Sequence, residues 1–234
     1  MRREPDNTAV AERLTPDASR LTATLRITEI FLSLQGETSR TGLPTIFIRL
    51  TGCPLRCGYC DTTYAFHGGS TMTLEAVFEA MAGYHTRYVT VTGGEPLAQK
   101  NCDALLTALC ERGYSVSLET SGALDVSGVD ARVSRILDIK TPASGESGKN
   151  LWSNLAHLTA RDELKFVICN EADYRWASAQ LAERELAAIC PVLFSPSYRD
   201  LEAARLADWI LRDQLAVRLQ TQLHKQLWGE QPGR

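Results

Sequence analysis

Phe47-Ile48-Arg49-Leu50-Thr51-Gly52-Cys53-Pro54-Leu55-Arg56-Cys57-Gly58-Tyr59-Cys60 is the stretch from which the rest of the chain can be read. Its first half belongs to an apolar, β-prone segment that predicts a strand over Thr45–Thr51. Its second half sets three thiols at C-x3-C-x2-C spacing in one short Gly/Pro-bearing loop. Thiolates are soft ligands that suit iron–sulfur clusters or zinc. Three of them so close together reach one compact metal centre. They are one short of the four that close an ordinary cluster or a structural zinc site, so one metal position stays open for chemistry. Arg49 is out of place in this strand, because a strand interior holds a charge only when the charge is paired.

Outward from the loop, strand-like and helix-like segments alternate. An earlier strand is expected over Ile27–Leu34, running into the polar turn Gln35-Gly36-Glu37-Thr38. Leu74–Tyr84 has helical spacing with Thr73 as N-cap, and Ala98–Arg112 is a second helix stopped at Gly113. Strands are expected over Tyr88–Val91, Ser115–Leu118, Val133–Ile139, Glu163–Cys169, Pro191–Phe194 and Ala216–Gln220. Further helices are expected over Leu151–Thr159, Ala172–Ile189 and Leu201–Arg212. This alternation predicts βαβ units and a mostly parallel α/β sheet. Functional polar residues then belong at the C-terminal strand ends. The candidates fall there: the cysteine loop, Gly93-Gly94-Glu95, Glu119-Thr120-Ser121, Asp138-Ile139-Lys140 and Ser195-Pro196-Ser197. Residues 1–24 are polar and aperiodic, with one loose helical turn expected around Val10–Leu14; they read as a flexible tail ahead of a single domain over 25–234.

The bulk numbers exclude several classes. The net charge is −3, which argues against a dominant nucleic-acid surface. No apolar run is long enough to span a membrane and no apolar signal core follows Met1-Arg2-Arg3, so the default compartment is cytoplasmic. Seven cysteines, an odd number, in a chain of that kind speak against a disulfide framework. Cys102, Cys110, Cys169 and Cys190 read as small buried hydrophobes.

Thr92-Gly93-Gly94-Glu95-Pro96, placed downstream of the three-cysteine loop, resembles the radical S-adenosylmethionine (SAM) enzymes. The resemblance implies an open, partial TIM-like (βα) barrel and a [4Fe–4S] cluster on Cys53, Cys57 and Cys60. It implies that SAM chelates the fourth iron and is cleaved to methionine and a 5′-deoxyadenosyl radical. Gly94 and Glu95 would hold the methionine amino group, and Tyr59 would pack on the adenine. Cys60, Asp61, Glu119, Ser121, Asp138, Lys140 and Ser195 are further SAM candidates by loop or strand order; the last five read equally as helix caps or loop polar groups.

Leu34-Gln35-Gly36-Glu37, the strand ending at Cys53, Cys60-Asp61-Thr62 and Gln220-Thr221-Gln222-Leu223-His224-Lys225 narrow the resemblance to the 7-carboxy-7-deazaguanine synthases, over about residues 27–228. That family contracts the ring of 6-carboxy-5,6,7,8-tetrahydropterin with loss of ammonia, regenerates SAM and requires Mg²⁺. The residues suit such a substrate. Arg49 can grip a carboxylate bidentately, with an internal salt bridge as its alternative. Leu34, Gln35, Gly36 and Glu37 can read the pterin edge, Thr92 sits where the family contacts substrate, and Thr62 carries a hard oxygen for Mg²⁺. His224 faces the pocket or caps the last strand. Six residues follow Trp228, where some members end near the His-Lys segment and use their terminal carboxylate. The resemblance also implies a homodimer and an electron donor such as a flavodoxin or ferredoxin.

Two other readings compete. A glycyl-radical-enzyme activase would share the cysteine loop and the SAM site but act on a protein. A non-catalytic module would hold zinc, with His67 as fourth ligand.

Overall fold

The computed structural model describes residues 22–231 and 233. The expected tail thus lies outside the described residues as far as residue 21, including the turn at Val10–Leu14. Among the described residues, nine strands form one sheet in the order β3-β1-β2-β4-β5-β6-β7-β8-β9. They are β1 Thr24–Leu34, β2 Pro44–Leu50, β3 Ser70–Thr73, β4 Tyr88–Gly93, β5 Ser115–Thr120, β6 Ser134–Ile139, β7 Glu163–Ile168, β8 Val192–Pro196 and β9 Arg218–Leu219. The helices are α1 Leu74–Met81, α2 Cys102–Glu111, α3 Glu171–Glu183, α4 Leu186–Ile189, α5 Ala203–Arg212 and α6 Leu223–Trp228. β1 pairs antiparallel with β2 and β3. From β2 to β9 every neighbouring pair is parallel. The sheet is open, with β3 and β9 at its edges.

Alternation along the strands divides the molecule in two. Val89 and Val91, Val116 and Leu118, Leu137 and Ile139, and Leu164, Phe166 and Ile168 join one buried core with helix residues such as Val77, Met81, Leu105 and Leu109. The residues between them are Thr90 and Thr92, Ser117 and Glu119, Asp138, and Glu163 and Lys165. Side chains alternate across a strand, so the opposite face of the sheet is polar. That face curls around a cavity. β1 and β7 are five steps apart in the sheet, roughly 24 Å if it were flat. Yet the turn after β1 touches the far side: Ser39 N–H donates to Glu163 Oε2 at 3.1 Å, and Gln220 Nε2 donates to Gly36 O at 3.0 Å.

Local signals account for most boundaries. Thr73 Oγ1 accepts from Ala76 N–H at 3.2 Å and starts α1. Gly113, at φ 82°, ends α2: Tyr114 N–H donates to Leu109 O and Gly113 N–H to Cys110 O, a Schellman pair. Some expectations need correction. The helix expected over Ala172–Ile189 breaks into α3 and α4 where Glu185 turns left-handed at φ 49°. Pro96–Ala98 forms its own 3-10 turn, so α2 starts only at Cys102. The segment at 151–159 is 3-10 over Trp152–His157. β3 and α6 arise where no element was expected, and β9 keeps only two residues. Cys102 and Cys190 are buried, whereas Cys110 and Cys169 are half-buried.

Far from the cavity loops, Asp162 ties β6 to the segment before β7. Its carboxylate accepts from Arg135 N–H and Thr159 N–H, both at 2.7 Å, and lies 3.5 Å from the Arg135 guanidinium. Both side chains are buried, and removing one partner strands the other charge. Asp162→Ala is expected to cost about 3–5 kcal/mol, measured by chemical denaturation of the purified protein.

Candidate active site

A cavity of about 640 Å³ opens at the C-terminal ends of the parallel strands, with the cysteine loop on one wall. The loop is held largely through its main chain, and the Arg56 guanidinium donates to Cys53 O at 2.8 Å and Leu55 O at 2.7 Å. Gly52 N–H donates to Ala65 O at 2.8 Å, Glu95 N–H to Gly52 O at 2.8 Å, and Gly94 N–H to Leu50 O at 3.1 Å. On the outer side Gly58 N–H donates to Ser144 O, and Arg56 N–H to Glu146 Oε1 at 2.6 Å. Leu55 N–H donates to Cys53 Sγ at 3.4 Å. Cys53, Cys57 and Cys60 all line the cavity, and each is free of a disulfide. Burial raises all three thiols, Cys57 to about 11, so they are protonated without a metal and give up those protons when they bind one. His67, the zinc alternative, is exposed and is absent from the cavity wall. Three half-buried sulfurs facing one roomy cavity fit a cluster with an open corner.

Beside the thiols, Gly94 makes room that no other residue can. A Cβ there would sit 2.2 Å from Gly52 O and 2.9 Å from Cys53 Cβ. Tyr59, Asp61, Glu119, Ser121, Asp138 and Lys140 line the same cavity. Glu95 and Ser195 do not. Glu95 is fully buried, and its carboxylate is saturated by Leu97 N–H, Thr120 Oγ1, Ser121 N–H and Ser121 Oγ. It shapes the wall through Ser121 instead of facing a ligand. Ser195 is buried in β8; Ser197, two residues on, reaches the wall.

The same cavity is lined by Leu34, Gln35, Gly36, Glu37, Arg49, Thr92 and His224. Arg49 makes the salt bridge that was its alternative reading, Nε to Glu29 Oε1 at 2.7 Å, and it also faces the cavity. Gln35 is buried and fully employed. Its Oε1 accepts from Gly36 N–H and Glu37 N–H, and its Nε2 donates to Thr90 and Glu119. Gly36 lets α6 come close, since a Cβ there would meet His224 Nδ1 at 2.6 Å. His224 therefore sits on a helix at the cavity wall; it caps no strand.

The polar wall is a charge network. Lys165 Nζ lies 2.7 Å from Glu37 Oε2 and 3.2 Å from Asp138 Oδ2, and Lys140 Nζ lies 3.1 Å from Asp138 Oδ1. Burial would raise the Glu37 carboxyl, but Lys165 and His224 together hold it well below the ordinary range. Burial raises the Glu119 carboxyl, and there it prevails over Lys165. Burial lowers the His224 imidazole despite nearby Glu37 and Asp61. Thr62 Oγ1 donates to Asp61 Oδ1 at 2.8 Å. Asp61, Glu37 and His224 have ligand atoms within 4.8 Å of one another, and Asp61 pairs with Lys225 Nζ at 2.5 Å. The hard oxygens of Thr62 and the two carboxylates suit Mg²⁺.

Sequence reasoning missed Lys165, named Gln222 and Lys225 only within the motif at the last strand, and left the place of the segment after Trp228 open. Lys165 was detectable by the argument used for Arg49, a charge inside an alternating strand. Gly229, Glu230, Gln231 and Gly233 also line the cavity, and Arg199 pairs with Glu230 at 2.6 Å. No local pattern announces that contact.

An open parallel sheet that gathers three thiols, one ligand short, at its strand ends defines a radical SAM enzyme. The radical SAM superfamily profile matches residues 47–141. The chain is 46% identical over 210 residues to the 7-carboxy-7-deazaguanine synthase of Chlorobaculum tepidum, covering 88% of this chain and 96% of that one. It is 43% identical over 219 residues to the synthase of Koribacter versatilis, covering 87% and 97%. The fold matches QueE from Escherichia coli with a TM-score of 0.69 at 24% identity, over 85% of this chain and 94% of that one. The chain belongs to the 7-carboxy-7-deazaguanine synthase family.

Gly94→Ala is expected to destabilise the protein by about 1–3 kcal/mol through overpacking and to lower the iron retained per chain. Denaturation midpoints and iron analysis check both.

Proposed function

We propose that this cavity converts 6-carboxy-5,6,7,8-tetrahydropterin to 7-carboxy-7-deazaguanine with loss of ammonia, as a carbon–nitrogen lyase of queuosine and other 7-deazapurine biosynthesis. One observation carries the reading. A single cavity is lined both by the three thiols and by a set of carboxylate, guanidinium and amide groups suited to a carboxylated pterin. Cys53, Cys57 and Cys60 would hold the cluster. SAM would lie over Gly94, between Tyr59, Ser121 and the Asp138–Lys140 pair. Bound there, cluster and SAM supply one-electron bond cleavage and a hydrogen-abstracting radical.

The chain's own residues do the orienting. Glu29 engages Arg49 Nε, and the rest of the guanidinium fork has further N–H donors for the substrate carboxylate. Thr62, beside Asp61, would place Mg²⁺ at the same carboxylate. Glu37 would accept from the N–H groups of the pterin edge, and Thr92 Oγ1, 3.3 Å from Glu119 Oε2, would present the Glu119 carboxyl. Gln35 acts indirectly, by fixing the Gly36-Glu37 turn and Glu119. His224 packs over Gly36 and closes that side. Gly229, Glu230, Gln231 and Gly233 line the cavity with Arg199, where they can meet substrate. A flavodoxin- or ferredoxin-type electron donor, homodimeric assembly and a cytoplasmic setting complete the reading. No helix among the described residues is long and apolar enough to cross a membrane.

The test is anaerobic: reconstituted protein with SAM, reductant, Mg²⁺ and the carboxytetrahydropterin should release the deazapurine and ammonia. An intact cluster with no such product would refute the assignment. Cys57→Ala should lose iron and sulfide and abolish SAM cleavage. Arg49→Ala should weaken substrate binding by about 10- to 100-fold, the range of a lost charge-assisted hydrogen bond, while slow uncoupled SAM cleavage persists. Titration of the substrate against each variant reads this out.

A further inference from the structure

The cavity wall contains a cation that none of these roles uses. Lys165 projects from the middle of β7 and is 5% exposed. A buried ammonium is costly unless several acceptors surround it. Here two carboxylates from separate elements meet it: Glu37, from the turn after β1, at 2.7 Å, and Asp138, from the end of β6, at 3.2 Å. Glu119, from β5, adds a third negative group acting on it electrostatically. The far oxygen of Asp138 is taken by Lys140, on the SAM side of the cavity. The far oxygen of Glu37 takes Gln222 Nε2 at 2.9 Å. Glu37 is thus pinned at both oxygens, one by the residue that precedes α6 and one by β7, and each oxygen keeps a second lone pair for a ligand.

We propose that Lys165 is a positioning residue for the substrate: its ammonium fixes the orientation of the Glu37 carboxylate against the pterin edge and ties it to the Asp138–Lys140 pair beside SAM. This rests on the reading of Glu37 as a substrate acceptor. Without Lys165, Glu37 keeps Gln222 and His224 as partners among the described residues, and the acceptor is free to rotate. The second tie has its own consequence. Substrate contact at Glu37 and SAM contact at Asp138–Lys140 share one ammonium, so misplacing the substrate side allows SAM cleavage without turnover.

The experiment compares wild type with Lys165→Met, Lys165→Arg, Glu37→Gln and the double variant Glu37→Gln/Lys165→Met. It measures KM and kcat for the carboxytetrahydropterin, SAM affinity by equilibrium binding, and 5′-deoxyadenosine formed per deazapurine. Lys165→Met should raise KM about 10- to 100-fold, as for loss of a charge-assisted bond. It should leave SAM affinity within about twofold and raise the deoxyadenosine-to-product ratio. Lys165→Arg should recover most of the KM. The double variant should bind substrate no worse than Glu37→Gln alone, because Lys165 acts through Glu37. Unchanged KM and coupling in Lys165→Met would overturn the proposal. So would an additive double variant, or an equal loss of SAM and substrate affinity, which marks general collapse. Should Lys165→Met fold poorly, Lys165→Gln in the same cycle decides the matter. Failure of the underlying reading shows differently, as a wild-type protein that gives no deazapurine.

Discussion

The backbone contact between Gly52 and the Gly93-Gly94-Glu95 segment is the constraint on which the site depends. Glu95 N–H reaches Gly52 O at 2.8 Å, and Gly94 offers no side chain at the point where the two segments touch. The cysteine loop leaves β2 just there. Its position relative to β4 is therefore set by main chain, which cannot relax through rotamers. The carboxylate of Glu95 extends the constraint one strand further, to Thr120 and Ser121. Three consecutive strand ends are in this way laced into one wall before any ligand arrives.

The opposite wall follows a different rule. Its members are charged, drawn from the turn after β1 and from the ends and middles of β5, β6 and β7, and most hold one another by ion pairing. Glu37 and Asp138 share the Lys165 ammonium, Asp138 also takes Lys140, and Glu119 accepts from Gln35 and Thr92. Such a set is costly to bury and stays ordered only when every member has its partners. It also keeps groups of opposite sign on the wall of the cavity. Rigid main chain holds the sulfur side, and balanced charge holds the substrate side.

The curl of the sheet brings the two walls together. The turn after β1 crosses beneath the cavity to Glu163, Lys165 and Gln220, joining elements at opposite ends of the strand order. α6 then lies against Gly36 and delivers His224 and Lys225, with Gln222 just ahead of it. Each of these contacts depends on the closeness of residues more than a hundred positions apart.

Taken alone, the sequence determined the alternation of strands and helices, because side-chain period and capping chemistry are local: Thr73 and Gly113 mark their helix ends without help from the rest of the chain. It also determined the open thiol trio, since three cysteines in eight residues reach one centre in almost any loop conformation. It did not disclose that Glu95 turns away from the cavity, that Ser195 stops short of it, or that Gln35 spends its amide N–H groups on Thr90 and Glu119, because a polar residue's partners come from other strands. Lys165 carried a local clue, a charge in an alternating strand, but its place between Glu37 and Asp138 exists only once the sheet has curled. The helix at Leu223–Trp228 had no cap or period to mark it, and packing on Gly36 decided it. Short-range geometry is written along the chain. Which charges face each other is settled only when distant segments meet.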